Sequence, residues 1–465
     1  MAARFVNIDH DTPLLLPPDV RQWVPAQHLV HFVMDAVAEL DLRQARVNER
    51  GTGDAQYPPA MMLGLLIYSY ATGLFSSRQI ERATHENVAV RLLCADTHPD
   101  HDTICAFRRQ HQALLERSFA QVLELAARCQ VLQVGGITVA IDGSKVLASA
   151  SKHAALSYDR AGEQLQQLEL EIAQLLAKAE AADATPLADG LTIPEEIERR
   201  QQRQVKLAQA RAEMEARALV RAAAEQAEHE RKVGAREAQR QAGRTPRGPE
   251  PKPPGPAVPN PKDQFNFTDP ESRIMKAGTG DHFTQAYNAQ AAVEVESRLI
   301  VGQRVCTAAN DKEQLVPTLA AVVPAAGPVA QLLIDSGFVS AAAVQAVECD
   351  AQGQPTGLEV LAAIKREHHG RTVADLEKKS DPPALEPAAS FEEKMAHRVT
   401  TKAGRARYKL RQQTVEPVFG IIKEAMGFRR FSLRGLAKVS LEWTLVTLAY
   451  NVRRLHRVGA TLATA

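Results

Sequence analysis

Between Asp159 and about Gln241 the chain is rich in Ala, Glu, Gln, Arg and Leu, and Leu165, Leu168, Ile172, Leu175 and Ala179 recur at 3-4-3-4 spacing. That is the seam of a coiled coil. "ATPLADGLTIPEE" breaks the first helix with two prolines and a glycine, and a second charged helix starts at about Pro194. The pair reads as an antiparallel helical hairpin whose mixed charges face solvent. The next stretch, "RTPRGPEPKPPGPAVPNPK", reads as an extended, mobile proline-rich linker. A strand-like segment precedes the block and compact sequence resumes after it at "FNFTDPESRIMKAG". The chain therefore leaves one domain and re-enters it, and any fold must tolerate that insertion.

On either side the pattern is α/β. Residues 137–142 form an apolar strand. "FTQAYNAQAAVE" and "RLIVGQRVCT" are strand-like, and Asn310 with Glu313 can box the start of the helix "DKEQLVPTLAAVV". Then follow the apolar run "PVAQLLIDSGFVS", a helix "SAAAVQAVE" and a strand "GLEVLAAIK". From His397 to Val458 the chain is helical and basic, with about 14 Lys or Arg against three Glu. Early strands on short links read as antiparallel and later strands alternating with helices as parallel, which gives a mixed sheet flanked by helices.

Residues 1–130 read as all-helical. The uncharged run from Pro58 to Ser77 has the length of a membrane span, but its prolines, glycines and hydroxyls predict a buried helix ending near Gly73. Ser76 and Gln79 form a capping-box pattern, and in "PDHDTICAFRRQH" Asp102 or Thr103 can cap a helix carrying Arg108 and Arg109. Helix, short turn and basic helix suit a helix-turn-helix DNA module, and equally a packing domain with surface arginines. Net charge of +1 identifies no partner. Five scattered cysteines without a C-x-x-C pair argue against zinc, and with no signal-like N-terminus they fit a reducing cytoplasm.

The chemistry is carried by carboxylates. Asp142 closes the first strand and Asp335 the "LLID" strand. Each alone is most simply a turn residue. If the strands are neighbours, two bare carboxylates meet and repel unless a divalent cation neutralises them. Glu416 in "YKLRQQTVEPVFGIIKEAMGF", with Pro417 in a helix's first turn, is the candidate third ligand. Three carboxylates around two metals suit in-line displacement at phosphorus. Asp311 reads as a helix start and Asp269 as a cap, while His101 and His282 have no partner at metal-ligand spacing. Lys145 reads as a phosphate contact or a solvated side chain, and Trp443 and Tyr450 as core.

The texts "IDGSKVLASASKH", "NFTDPESRIMK", "YNAQAAV", "ANDKEQL", "IDSGF" and "VEPVFGIIK", in this order, resemble a bacterial insertion-sequence DDE transposase of the branch with a long helical insert after the first strand. That family's tyrosine, arginine, glutamate, lysine signature maps onto Tyr408, Arg411, Glu416 and Lys423, with four residues between Arg411 and Glu416 where three are usual. The resemblance implies a ribonuclease-H-like core with Asp142, Asp335 and Glu416 as catalytic residues and ligands of two Mg²⁺ ions, for which Mn²⁺ can substitute. It implies hydrolysis at element ends and 3′-hydroxyl strand transfer into target DNA. Lys423, two turns past Glu416, would hold a phosphate. Tyr408, Arg411, Lys145, Arg108, Arg109, Arg429 and Arg430 would contact double-stranded DNA, with Arg434, Arg453 and Arg454 adding salt-sensitive affinity.

The expected organisation is a helical DNA-binding domain (1–130), a discontinuous catalytic domain (131–158 and 262–425), a coiled-coil hairpin (159–243), a linker (244–261) and a basic helical C-terminus (426–465). The hairpin would serve a homo-dimer or larger assembly on DNA, or be a purely intramolecular feature. No membrane is involved, and the protein would be cytoplasmic and nucleoid-associated when bound. An inactive DNA-binding or assembly protein, or a ribonuclease-H-like nuclease with another role, are the alternatives.

Overall fold

The computed structural model describes residues 19–47, 56–133, 135–182, 193–243, 245–246, 248–276, 283–364, 381–386 and 389–462. The N-terminal leader reading, His282 and most of the turn between the insert's two helices lie outside these residues. The chain divides into two compact units, Met1–Val146 with Asn288–Ala465, and Leu147–Tyr287.

Among the described residues the first unit opens with seven helices: α1 (Val20–Trp23), α2 (Leu29–Ala38), α3 (Pro59–Ala71), α4 (Ser77–Glu86), α5 (Val88–Leu93), α6 (His101–Gln110) and α7 (Gln112–Arg128). Helix α3 is apolar all round and almost wholly buried, which marks an internal helix. No helix among the described residues is long and apolar enough to cross a membrane. The Ser76–Gln79 capping box forms at the start of α4. At α6 the cap is Asp100, whose carboxylate accepts from Thr103 N at 2.6 Å, instead of Asp102 or Thr103.

Among the described residues eight strands follow: β1 (Ile137–Leu147), β2 (Ala155–Ser157), β3 (Gln264–Asn266), β4 (Arg273–Lys276), β5 (Phe283–Glu294), β6 (Ile300–Cys306), β7 (Val329–Ile334) and β8 (Glu359–Ala362). Strands β5, β1, β7 and β8 lie side by side, with β6 also paired to β5. The β5–β6 pair is antiparallel, and β1–β7 and β7–β8 are parallel. The sheet is mixed, as the alternation of strands and helices requires. Strand β1 does not stop at Asp142: pairing with β7 ends at Ile141↔Ile334, but the strand continues to Leu147.

Helices α10 (Leu315–Leu319), α11 (Ala341–Glu348), α12 (Phe391–Thr400), α13 (Lys402–Gly420) and α14 (Leu436–Arg457) are the first unit's further helices among the described residues. Helix α10 starts later than its sequence suggests. Its N-cap is Gln314, and Asn310 does not box it. Helix α14 lies in the core and packs against α3, α7 and β6. Trp443 is fully buried and donates its Nε1–H to Gln290 O at 3.1 Å, and Asn451 clamps both backbone groups of Ile300 at 2.9 and 2.8 Å. Arg108 is buried among these helices. It donates to Tyr70 Oη at 2.7 Å, and Tyr70 donates to Glu442 Oε1 at 3.2 Å.

The second unit holds α8 (Tyr158–Ala182) and α9 (Ile193–Gln241), which pack against each other. Leu168 is buried, and Leu165, Ile172, Leu175 and Ala179 are half-buried among exposed neighbours. Leu207, Ala210, Met214 and Ala218 face them from α9, and Arg200 bridges the helices to Glu171 at 2.8 Å. The proline-rich segment is extended but not free. Prolines offer carbonyls and no N–H, and the arginines of α9 supply the donors. Arg236 donates to Gly248 O and Pro249 O at 3.1 Å each, Arg221 donates to Val258 O at 3.2 Å, and Arg240 pairs with Glu250 at 2.7 Å. The segment thus runs back along α9. Strands β2 and β3 pair antiparallel at the root of the insert, Ser157 opposite Gln264.

Candidate carboxylate site

Asp142 and Asp335 each follow a residue of the register pair Ile141↔Ile334. Two parallel neighbours therefore deliver both aspartates to one edge of the sheet. Asp335 also caps the 3₁₀ turn Ser336–Phe338, and Phe338 N donates to its carbonyl at 3.0 Å. Glu416 comes from α13, whose buried residues Gly404, Arg411, Val415 and Val418 recur at helical spacing. It lies late in that helix with Pro417 inside it, not in a first turn. Pro417 withholds one helical N–H, and the helix passes after Gly420 into a π-helical turn, Ile421–Ala425.

The three carboxylates are gathered around one guanidinium. Arg411 Nη1 stands 3.7 Å from Asp142 Oδ2, and its Nη2 stands 3.5 Å from Asp335 Oδ1 and 3.7 Å from Glu416 Oε1. The Arg411 side chain is 10 % exposed, and its Nε is buried without a partner. Among the described residues no group of three or more His, Cys, Asp or Glu already forms a metal-ready cluster. The donor set nevertheless fits a hard divalent cation. All three are carboxylates, and the Asp335 and Glu416 side chains are 47 % and 57 % exposed, open to an ion from solvent. Burial pushes the Asp142 carboxyl up to about 6, while the Gly143 amide at 2.8 Å and Arg411 pull it back. Burial thus outweighs the one positive charge beside this carboxylate.

The other expected site residues divide into two groups. Tyr408 donates to Ile334 O at 3.2 Å and so ties α13 to the end of β7, immediately before Asp335. Its hydroxyl is turned inward, and burial raises its pKa. Lys423 sits in the π-helical turn, so the regular two-turn register with Glu416 does not carry through. Its Nζ donates to Lys145 O at 3.0 Å, and burial lowers its pKa. Lys145 Nζ faces Asp311 at 3.7 Å, so it is neither simply solvated nor free. All three sit on elements that carry the carboxylates or directly follow them: β1, α13 and the turn after α13.

Arg108 does not lie on a DNA-accessible surface. Its guanidinium is spent inside the helical core, and the RR pair splits between the two sides of α6, leaving Arg109 exposed. Arg429 pairs with Glu424, Arg430 and Arg434 are exposed, and Arg453 and Arg454 are bonded to the carbonyls of Ala71 and Ser297. His101 has a partner after all, Glu81 at 2.9 Å. Asp269 is a buried acceptor for Tyr287 Oη at 2.8 Å. Sequence reasoning missed Asp311, whose carboxylate lies among Asn288, Gln290 and Lys145 beside Gly143. The alternation of β5 was the available signal, since it puts Asn288 and Gln290 on one face.

The family model described as "Transposase DDE domain" matches residues 378–456, which include Tyr408, Arg411, Glu416 and Lys423. The model described as "Transposase domain (DUF772)" matches residues 18–110, the N-terminal helices. No curated protein and no solved structure matches the chain. Two matches from opposite ends of the chain agree in kind, and together they support an insertion-sequence DDE transposase.

Proposed function

We propose that this transposase hydrolyses DNA at the ends of its element and joins the freed 3′-hydroxyl to target DNA, on a ribonuclease-H-like core. The observation that carries the reading is the convergence of Asp142, Asp335 and Glu416 on one cation, Arg411. Asp142, Asp335 and Glu416 would hold two divalent cations, Mg²⁺ or Mn²⁺, which supply Lewis-acid stabilisation of the attacking and leaving oxygens. The chain's own residues do the rest. Arg411, displaced from the carboxylates, is the nearest guanidinium to a scissile phosphate. Lys423 and Lys145 bring positive charge to the same edge, where a phosphodiester's negative charge is to be bound. Tyr408 acts through the backbone of β7, holding Asp335 in place.

Exposed Arg109, Arg429 and Arg430 extend the electrostatic footprint along the duplex, and their contribution falls as salt rises. The N-terminal helices are the candidate readers of the terminal repeats. The hairpin of α8 and α9 is the candidate contact for a second subunit or a second DNA end, since transposition brings two ends together.

The test is nicking of a labelled duplex carrying the element's terminal repeats, in Mg²⁺ or Mn²⁺, wild type against Glu416→Gln. The expected result is cleavage at the repeat boundary, reduced by about a hundredfold or more in the variant. Cleavage anywhere on the duplex would indicate a general nuclease. Tight binding without cleavage by either protein would indicate a DNA-binding protein that has lost turnover.

A further inference from the structure

Asp311 stands before α10 and is not one of the three carboxylates. Its Oδ1 accepts from Asn288 Nδ2 at 2.7 Å and from Gln290 Nε2 at 2.8 Å, and Lys145 Nζ lies 3.7 Å away. The Asn288 amide is locked in this orientation. Its Nδ2 also donates to Ala308 O at 3.1 Å, so a flip would set oxygen against two oxygens. Asn288 and Gln290 are fully buried, and among the described residues no protein group donates to Asn288 Oδ1 or Gln290 Oε1. Buried amide oxygens without a protein donor cost stability, and such local costs concentrate where geometry serves function.

This cluster is the cradle on which the backbone next to Asp142 rests. A Cβ on Gly143 would stand 2.7 Å from Asp311 Oδ1 and 2.9 Å from Asn288 Oδ1, and would also run into Gln290 Nε2. Only a glycine lets β1 lie against these groups. The Gly143 amide, so placed, donates to Asp142 Oδ1 at 2.8 Å. Two residues further on, Lys145 is fixed twice: its carbonyl accepts from Lys423 and its ammonium faces Asp311.

We propose that Asp311 is a positioning residue for Asp142. Its carboxylate orients the β5 amides and Lys145 so that β1 holds Asp142 at the angle the site needs. The effect on cleavage rests on the transposase reading, whereas the effect on β1 does not.

The test uses the full chain carrying Asp311→Ala, Asp311→Asn or Gly143→Ala. Amide hydrogen exchange over residues 137–147 is measured without metal, Mn²⁺ binding by paramagnetic resonance, and single-turnover nicking at saturating DNA. Asparagine keeps an oxygen for the two amides, so it should largely rescue the cradle. We expect Asp311→Ala and Gly143→Ala to raise exchange over 137–147 by about tenfold while α14 is unchanged, and Asp311→Asn by less than about threefold. Mn²⁺ should bind about tenfold more weakly to Asp311→Ala, as when a residue orienting a ligand is lost. Wild-type exchange over 137–147 in Asp311→Ala would overturn the proposal, as would a rise shared equally by α14, the mark of general destabilisation. A wild-type protein that binds Mn²⁺ and cuts no DNA would sink the transposition reading instead, with the exchange result still deciding the role of Asp311.

Discussion

Asp142 is the residue at which the site's electrostatics can be read. Folded, its carboxyl holds a proton to about 6, against an ordinary value of 3.8. The folded state therefore binds more protons between these two values, and stability falls as pH rises across that interval. A shift of this size corresponds to roughly 3 kcal/mol at most. In EDTA the melting temperature should fall as pH rises from about 4 to about 6, and Asp142→Asn should remove part of the fall. Arg411→Gln should act in the opposite sense. It strips the one guanidinium shared by three carboxylates, and metal-free stability above pH 6 should drop by about 1–3 kcal/mol, with Mg²⁺ restoring it. Thermal denaturation with and without Mg²⁺ checks both. Arg411 shows where sequence reasoning stops. Its spacing from Glu416 is irregular for the family's signature, but three ion-pair distances on one guanidinium exist only once β1, β7 and α13 have met.

At the scale of elements, patterned segments were legible and interrupted ones were not. The long segment that became β5 has the bounds its sequence suggests, and ten of its 12 residues are buried in succession, as in a central strand covered on both faces. Strands β2, β3 and β4, of three or four residues each, were invisible, since pairing and not composition creates strands so short. Glu416 was expected in a first turn because Pro417 follows it, but α13 accommodates the proline internally and relaxes into the π turn that carries Lys423. Arg108 was read as a surface charge for want of its distant partners, Tyr70 on α3 and Glu442 on α14. Arg108→Met removes the cation from this buried network and leaves Glu442, whose pKa burial already raises, with hydrogen bonds from Tyr70, Ser432 and Leu433 but no cation. It should destabilise the fold by about 3–5 kcal/mol. Since Glu442 can escape by taking up a proton, the loss should be larger at pH 8 than at pH 5, measured by urea denaturation. Arg109→Met, on the exposed side of the same helix, should stay within about 0.5 kcal/mol.

Across the whole molecule, the insert is a long excursion closed by a short ladder. Ser157 faces Gln264 across the β2–β3 pair, so residues 158–263 could be replaced by an Asn-Gly turn. The arginine-to-carbonyl bonds along α9 explain why the proline-rich segment should leave together with the hairpin and not be kept as a spacer. The shortened protein should keep the melting transition of the first unit. If the hairpin joins subunits, light scattering should show a lower mass in the presence of element-end DNA, and an unchanged mass would leave the hairpin intramolecular. The first unit also has a history in time. Tyr70 and Glu442 are 372 residues apart in sequence yet share a hydrogen bond. At ribosomal rates about 20–75 s separate their synthesis. Throughout that interval α3, apolar on every side, waits for α14 to cover it. A product cut short before Leu436 never receives that cover, so α14 decides whether the first helices become structure or a burden on the cell's chaperones.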